Sequence, residues 1–134
     1  MNLFIDANII LEIILGQHHD QEARSLLSTT DRHHLFLSDF SLHSIGVILF
    51  RRNQPDAFLD FCSDMVEPGR LAVIGLSVQH MSLVAQVSKQ FRLDFDDAYQ
   101  YVTADKHNLV IVSFDADFDR TERGRKTPQA VLQT

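Results

Sequence analysis

Cys62 is the only cysteine, tryptophan is absent, and there are just 3 prolines and 5 glycines. One thiol cannot close an internal disulfide, and no Cys/His spacing suits a zinc site. A disulfide scaffold and a zinc module are therefore excluded, and a reducing, cytoplasmic location is the simplest expectation. So little proline and glycine leaves no room for a low-complexity linker. Positive charge is also in short supply: 12 Lys and Arg against 18 Asp and Glu give a net charge of −6. Nucleic-acid binders commonly present a basic face, so contact with RNA or DNA would need local basic patches or a cation that offsets clustered acids. Long apolar runs are missing too. The N-terminal stretch MNLFIDANIILEIILG is broken by Asp6 and Glu12 and has no basic leader, so no signal peptide is expected. No run reaches the roughly 18 apolar residues of a membrane span, so no membrane partner is expected.

What is present describes a globular chain. Its 134 residues are 45% hydrophobic and 22% charged, close to the globular average. No repeat or linker divides it, so residues 1–134 are expected to form one domain. Short apolar runs predict strands at Leu3–Ile5, Leu35–Leu37, Leu71–Ile74 and Leu109–Val112, with a further candidate around Ala130–Leu132. Helical periodicity fills the gaps at about 8–15, 21–28, 40–50, 55–65, 78–89 and 95–106. Strands alternating with helices imply parallel strands joined by helical crossovers. Runs as apolar as LVIV fit a sheet covered on both faces, an α/β/α sandwich.

In open α/β sheets, sites form beyond the carboxyl ends of the strands. Asp6 directly follows the first strand, Ser38 and Asp39 the second, and Ser113 and Asp115 the run ending at Val112. Asp97 sits in DFDDAYQYVTAD, one turn into a helix that Asp94 is placed to cap. Each acid alone is adequately explained as a helix cap or turn residue. Together, Asp6, Asp97 and Asp115 fall at one end of one sheet. Clustered carboxylates raise one another's pKa unless a cation neutralises them. Hard oxygen ligands select Mg²⁺ or Mn²⁺, and such a cation acidifies water and clamps a phosphate oxygen. An EF-hand reading of DADFD fails, because Arg120 stands at the required glycine and Lys126 at the closing glutamate.

With these residues in place, the sequence resembles the PIN-domain family. LFIDANIILEIIL is similar to its opening block, with the metal aspartate at Asp6 and a small polar residue at Asn8. DDAYQYVTADKHNLVIVSFDADF is similar to its closing block, with acids at Asp97 and Asp115, Ala98 and Ala104 between them, Ser113 before the last acid and Phe118 closing the motif. The resemblance spans nearly the whole chain. It implies a parallel sheet of about five strands and an Mg²⁺- or Mn²⁺-dependent endoribonuclease of the VapC toxin kind. RNA would be its substrate, with an antitoxin protein and a second copy as candidate partners. One position departs. The family's second acid, a glutamate on the helix after strand two, matches Ser44 in SDFSLHSIGVILF. His43 and Asp39 are candidates for the missing ligand. A catalytically weakened or inactive PIN-like module that binds RNA or a protein is the alternative this departure raises.

Other features are secondary. Asp117 and Asp119 are expected as solvated loop acids, with Asp117 a supporting candidate for contact with a second metal, while Asp96 is expected to point away from the site. The densest basic stretch, RTERGRK, offers Arg120, Arg123, Arg125 and Lys126 to RNA phosphates. The pairs His18–His19 and His33–His34 are expected in loops, since adjacent side chains on a regular element diverge. Phe36, Phe40, Phe50, Phe58, Phe61 and Leu59 are expected in the core.

Overall fold

The computed structural model describes residues 1–134. Four parallel strands form its sheet: β1 (Asn2–Ile5), β2 (His34–Ser38), β3 (Leu71–Ile74) and β4 (Val110–Val112), in the order β3-β2-β1-β4. Register pairs Phe4 with Phe36, Ile5 with Val112 and Leu37 with Val73. Seven α-helices connect and cover them: α1 (Ala7–Ile14), α2 (Asp20–Leu27), α3 (Asp39–Arg51), α4 (Pro55–Phe61), α5 (Met81–Phe91), α6 (Phe95–Lys106) and α7 (Pro128–Leu132). A π-helical turn over Cys62–Val66 extends α4.

Strand alternation sorts the core into two layers, as a period of two requires. Leu3 and Ile5 face a layer with Ile9, Leu26, Ile45 and Leu49, from α1, α2 and α3. Phe4, between them, faces the opposite layer with Val84, Val87, Tyr101 and Val102, from α5 and α6. The α/β/α sandwich expected from the apolar runs is thus present. Helix α6 is the most enclosed element, with every residue from Ala98 to Ala104 buried.

Two expectations are corrected. The sheet has four strands rather than about five, because the segment at Ala130–Leu132 is helical. Thr127 caps it, accepting the Ala130 N–H at 3.2 Å, and Pro128 occupies the first turn, a start signal for a helix. Of the six residues expected in the core, Phe61 is buried. Phe36, Phe40 and Phe58 are half-buried, and Phe50 and Leu59 are exposed. Phe36 and Phe58 still pack against the core, whereas Phe50 on α3 and Leu59 on α4 lie on the outward sides of those helices.

The chain beyond β3 touches the beginning of α3 closely. The Leu76 N–H donates to the Tyr99 hydroxyl at 3.0 Å, and that hydroxyl donates to Asp39 Oδ1 at 2.9 Å. Asp39 also accepts the Phe40 N–H at 2.8 Å. Its carboxylate fills the space where residue 75 would carry a side chain: a Cβ on Gly75 would lie 2.5 Å from Asp39 Oδ2. A carboxylate held by two donors cannot swing aside freely. Gly75→Ala is therefore expected to destabilise the fold by about 1–3 kcal/mol through overpacking. Thermal unfolding measures this, and pairing the change with Asp39→Ala should restore much of the loss if the carboxylate is the obstacle.

Candidate active site

Strand order fixes where a site can form. From β1 the chain proceeds on one side to β2 and β3, while β4 lies on the other side, so the crossovers diverge between β1 and β4. The crevice beyond the carboxyl ends at such a switch point is where open α/β sheets bind ligands. Asp6 follows β1 there, and Ser113 and Asp115 follow β4.

The Ser113 hydroxyl joins the two strand ends. It is buried and donates to Asp6 Oδ2 at 2.6 Å. It also accepts from Asn8 Nδ2 at 3.2 Å and from the Asp115 N–H at 2.9 Å. The Asn8 carbonyl oxygen in turn accepts the Phe114 N–H at 3.4 Å. Asp6 precedes α1 but makes no side-chain cap bond, so its carboxylate is committed to Ser113 instead. Asp115 opens a short 3₁₀ turn and accepts the Asp117 N–H at 2.9 Å. From the other direction, α6 delivers Asp97. Asp94 caps this helix, accepting the Asp97 N–H at 3.1 Å, which fixes the first turn while leaving the Asp97 carboxylate to the crevice.

Asp6, Asn8, Asp94, Asp97, Asp115 and Asp117 line a cavity of about 330 Å³ together with Ser41, Ser44 and Gln100. Asp97, Asp115 and Asp117 can each place one carboxylate oxygen within 4.8 Å of the other two. Asp6 lines the same cavity but stands outside that triple. Asp97 carries the clearest electrostatic mark of the crowding: burial, then Asp94, Asp115, Asp6 and Asp117, push its carboxyl up to about 7. Burial raises that of Asp6 as well, opposed by the hydrogen bond from Ser113. Such a donor set fits a hard divalent cation, which needs oxygen ligands and removes the repulsion.

Behind the acids lies a buried polar lattice that the sequence did not reveal. Ser38 donates to Gln100 Oε1, Gln100 Nε2 donates to the Ser41 hydroxyl, and the Ser41 N–H donates to Ser38 at 2.8 Å. All three residues are buried, and Gln100 also eases the charge on Asp6. The signal was available: Gln100 is three residues after Asp97, on the same side of a helix.

The remaining candidates divide. Ser44 lines the acidic cavity. Asp39 and His43 do not: Asp39 is bound to Tyr99 against Gly75, and His43 is exposed on another side of α3. Neither borders the acids. Asp96, expected to point away, lines the cavity, as does Asp94. The basic segment is largely occupied within the fold. Arg123 binds Asp105 at 3.1 Å, Asn108, and the Leu109 carbonyl. Arg125 binds Asp119 and the Ser113 carbonyl, both at 3.1 Å. With Lys126 these two arginines line a separate hollow along β4, away from the acids. Arg120 alone of the four is tied directly to the cluster, 2.9 Å from Asp117 Oδ1.

Sequence comparison agrees with this geometry, for the PIN domain profile matches residues 3–124. The chain belongs to the PIN domain family. No curated protein sequence matches it. Among solved structures, this PIN domain is similar to VapBC2 from Rickettsia felis, solved bound to a promoter DNA fragment. The TM-score is 0.76 at 14% identity, over 94% of this chain and 97% of that one. A toxin–antitoxin complex from Klebsiella pneumoniae gives 0.74 at 20% identity, with the same coverage of each chain. VapC20 from Mycobacterium tuberculosis, a toxin that cleaves the sarcin–ricin loop, gives 0.73 at 16% identity, over 87% and 92%. Likeness at such identities establishes the fold of the PIN domain and leaves its chemistry to be argued from the cavity.

The raised Asp97 carboxyl makes a prediction for the metal-free protein. The folded state holds a proton to about pH 7, whereas the unfolded chain releases it near 3.9. Between those values the native state binds more protons, so stability falls as pH rises from about 4 to 7. Melting in EDTA across that range should show the decline, and Asp97→Asn should flatten part of it. Identical pH profiles for the two proteins would refute the assigned crowding.

Proposed function

We propose that this PIN domain is a metal-dependent endoribonuclease and the toxin of a toxin–antitoxin pair. The observation that carries the reading is the convergence of Asp97, Asp115 and Asp117 at the β1–β4 crevice, with Asp6 held beside them by Ser113. Asp97, Asp115 and Asp6 are the proposed ligands, and the position of Asp117 adds it to that set. A bound Mg²⁺ or Mn²⁺ would supply the positive charge that draws in a phosphodiester oxygen and acidifies water for hydrolysis. The chain's own residues prepare that site. Ser113 fixes the Asp6 carboxylate, the Asp115 N–H bond to Ser113 fixes the last loop, and Asp97 would have to release its proton to serve as a ligand. Affinity should accordingly rise with pH toward neutrality. A chain of net charge −6 depends on that cation to bring an RNA phosphate to four aspartates. Arg120, beside Asp117, is the basic residue placed to assist. The toxin–antitoxin neighbours support an antitoxin partner, and the cytoplasm is the proposed location.

Asp97→Asn should abolish metal-dependent cleavage of single-stranded RNA while leaving the metal-free protein as stable as wild type, or more so, because one repelling charge is gone. Gel assays in Mn²⁺ and Mg²⁺, with melting in EDTA, measure both. Wild-type protein without cleavage of varied RNAs would favour the second reading, a PIN-like module that binds RNA or protein without cutting.

Ser44 is the specific observation behind that second reading, since it lines the cavity without offering a carboxylate. Ser44→Glu should add a hard oxygen ligand and tighten Mn²⁺ binding by about tenfold, roughly 1.4 kcal/mol. The same variant should melt lower than wild type in EDTA, yet gain more from added Mn²⁺ by mass action on the native state. Calorimetric titration reads the affinity. An unchanged value in a folded variant would place residue 44 outside the coordination sphere.

A further inference from the structure

An aromatic shelf adjoins the acidic cavity and has no part in holding a cation. Phe40, Phe95 and Tyr99 pack together, with ring centroids 5.7 Å apart for Phe40–Phe95, 5.4 Å for Phe40–Tyr99 and 6.0 Å for Phe95–Tyr99. Tyr99 is buried, and its hydroxyl is engaged by Asp39 and Leu76. Phe40 is half-buried and lines the cavity. Phe95 is 51% exposed. It begins α6 between Asp94 and Asp96, which both line the cavity. Its ring does not line the cavity itself but packs on Phe40, which does, so it stands beside the rim, braced by two aromatic neighbours, with the rest of its surface in water.

Nothing in the local fold requires an aromatic residue there. Asp94 caps the helix through the Asp97 N–H, a bond indifferent to the side chain at position 95. Phenylalanine is a middling helix former, and an exposed ring forfeits much of the benefit of burial. A single exposed aromatic is ordinary on a protein surface. This one is distinguished by its bracing and by its place beside the rim of a carboxylate-lined crevice.

We infer that Phe95 is the stacking platform for one unpaired base of the RNA strand whose phosphate enters the acidic cavity. The inference rests on the ribonuclease reading and adds to it the residue that seats the strand against the acids. Charge selects the occupant. Asp94, Asp96 and Asp97 repel a phosphate or an acidic peptide at this rim, whereas a nucleobase brings a flat, uncharged face to the ring. Duplex RNA keeps its bases stacked within the helix, so the strand that can use Phe95 is a single strand, a loop or a bulge. Stacking on an aromatic ring accepts every base. Phe95 thus sets the register of the strand against the acids rather than its sequence.

RNA binding can be separated from cutting by working in the Asp97→Asn background with Mn²⁺ present, using a short fluorescein-labelled single-stranded RNA and anisotropy. Adding Phe95→Ala should weaken binding about 5- to 150-fold, the range for losing one stacked base. Phe95→Trp should restore it, and Phe95→Leu, apolar but without a π-face, should not. In the cleaving wild type, placing an abasic nucleotide at successive positions around the cut should find one position whose loss matches that of Phe95→Ala. Combining the two changes should add little. Equal RNA binding with and without Phe95, independent additive losses, or full rescue by leucine would each overturn the inference. So would a Phe95→Ala effect confined to the sedimentation of the protein alone, which would make the ring a contact between copies of this chain. RNA binding through Phe95 without cleavage by the wild type would overturn the ribonuclease reading and leave the platform standing. No RNA binding by any form would overturn both.

Discussion

Carboxylates that would otherwise separate are brought together at the β1–β4 crevice, and much of the molecule serves to hold them there. The electrostatic consequence falls hardest on Asp97, whose proton is retained to about pH 7. Repulsion of this kind opposes folding, so it persists where rigid surroundings leave the acids nowhere to go. Helix α6 is buried from Ala98 to Ala104 and cannot tilt to withdraw Asp97. Asp6 cannot rotate away without breaking its bond to Ser113, and the Asp115 loop is pinned through the same hydroxyl. The lattice of Ser38, Ser41 and Gln100 ties α6 to the start of α3 directly behind the acids. Each of these bonds contributes about 1 kcal/mol. Together they turn a local electrostatic penalty into a preorganised binding site for positive charge.

Much of this was legible in the sequence, and the reason is periodicity. Near-continuous apolar runs marked all four strands, because a parallel sheet buried on both faces tolerates little polarity. Since strand ends locate sites in such sheets, Asp6, Ser113 and Asp115 could be nominated before any coordinates. Asp97 followed from its place one turn into a helix that Asp94 is placed to cap. Ser44 was nominated by matching one helix to the family pattern, and its side of α3 does border the acids.

What escaped was decided by partners distant in sequence. The place of Gln100 one turn after Asp97 marks its side of α6, but its partners lie about 60 positions away, and no local pattern encodes them. Arg123 and Arg125 looked like free cations because their carbonyl acceptors, at Leu109 and Ser113, are backbone atoms. Asp39 looked available to the site until Gly75 gave its carboxylate a resting place. The last helix reads as a strand candidate because a five-residue element is too short for periodicity to decide. Its Thr-Pro start signal was the better guide.

The return of the chain beside β4 has a consequence for the molecule in company. β4 has only three residues and lies at the rim of the sheet, where an unpaired strand is a template for a neighbouring chain. Lys126 blocks that template: its N–H donates to the Ile111 carbonyl at 2.8 Å, and its carbonyl accepts the Ser113 N–H at 3.1 Å. Arg123 and Arg125, just before Lys126, anchor the segment to the carbonyls of Leu109 and Ser113 at the two ends of β4. In a protein poor in positive charge, three basic residues in four positions thus close a sheet edge against self-association, and the open rim that remains is β3 at the opposite side.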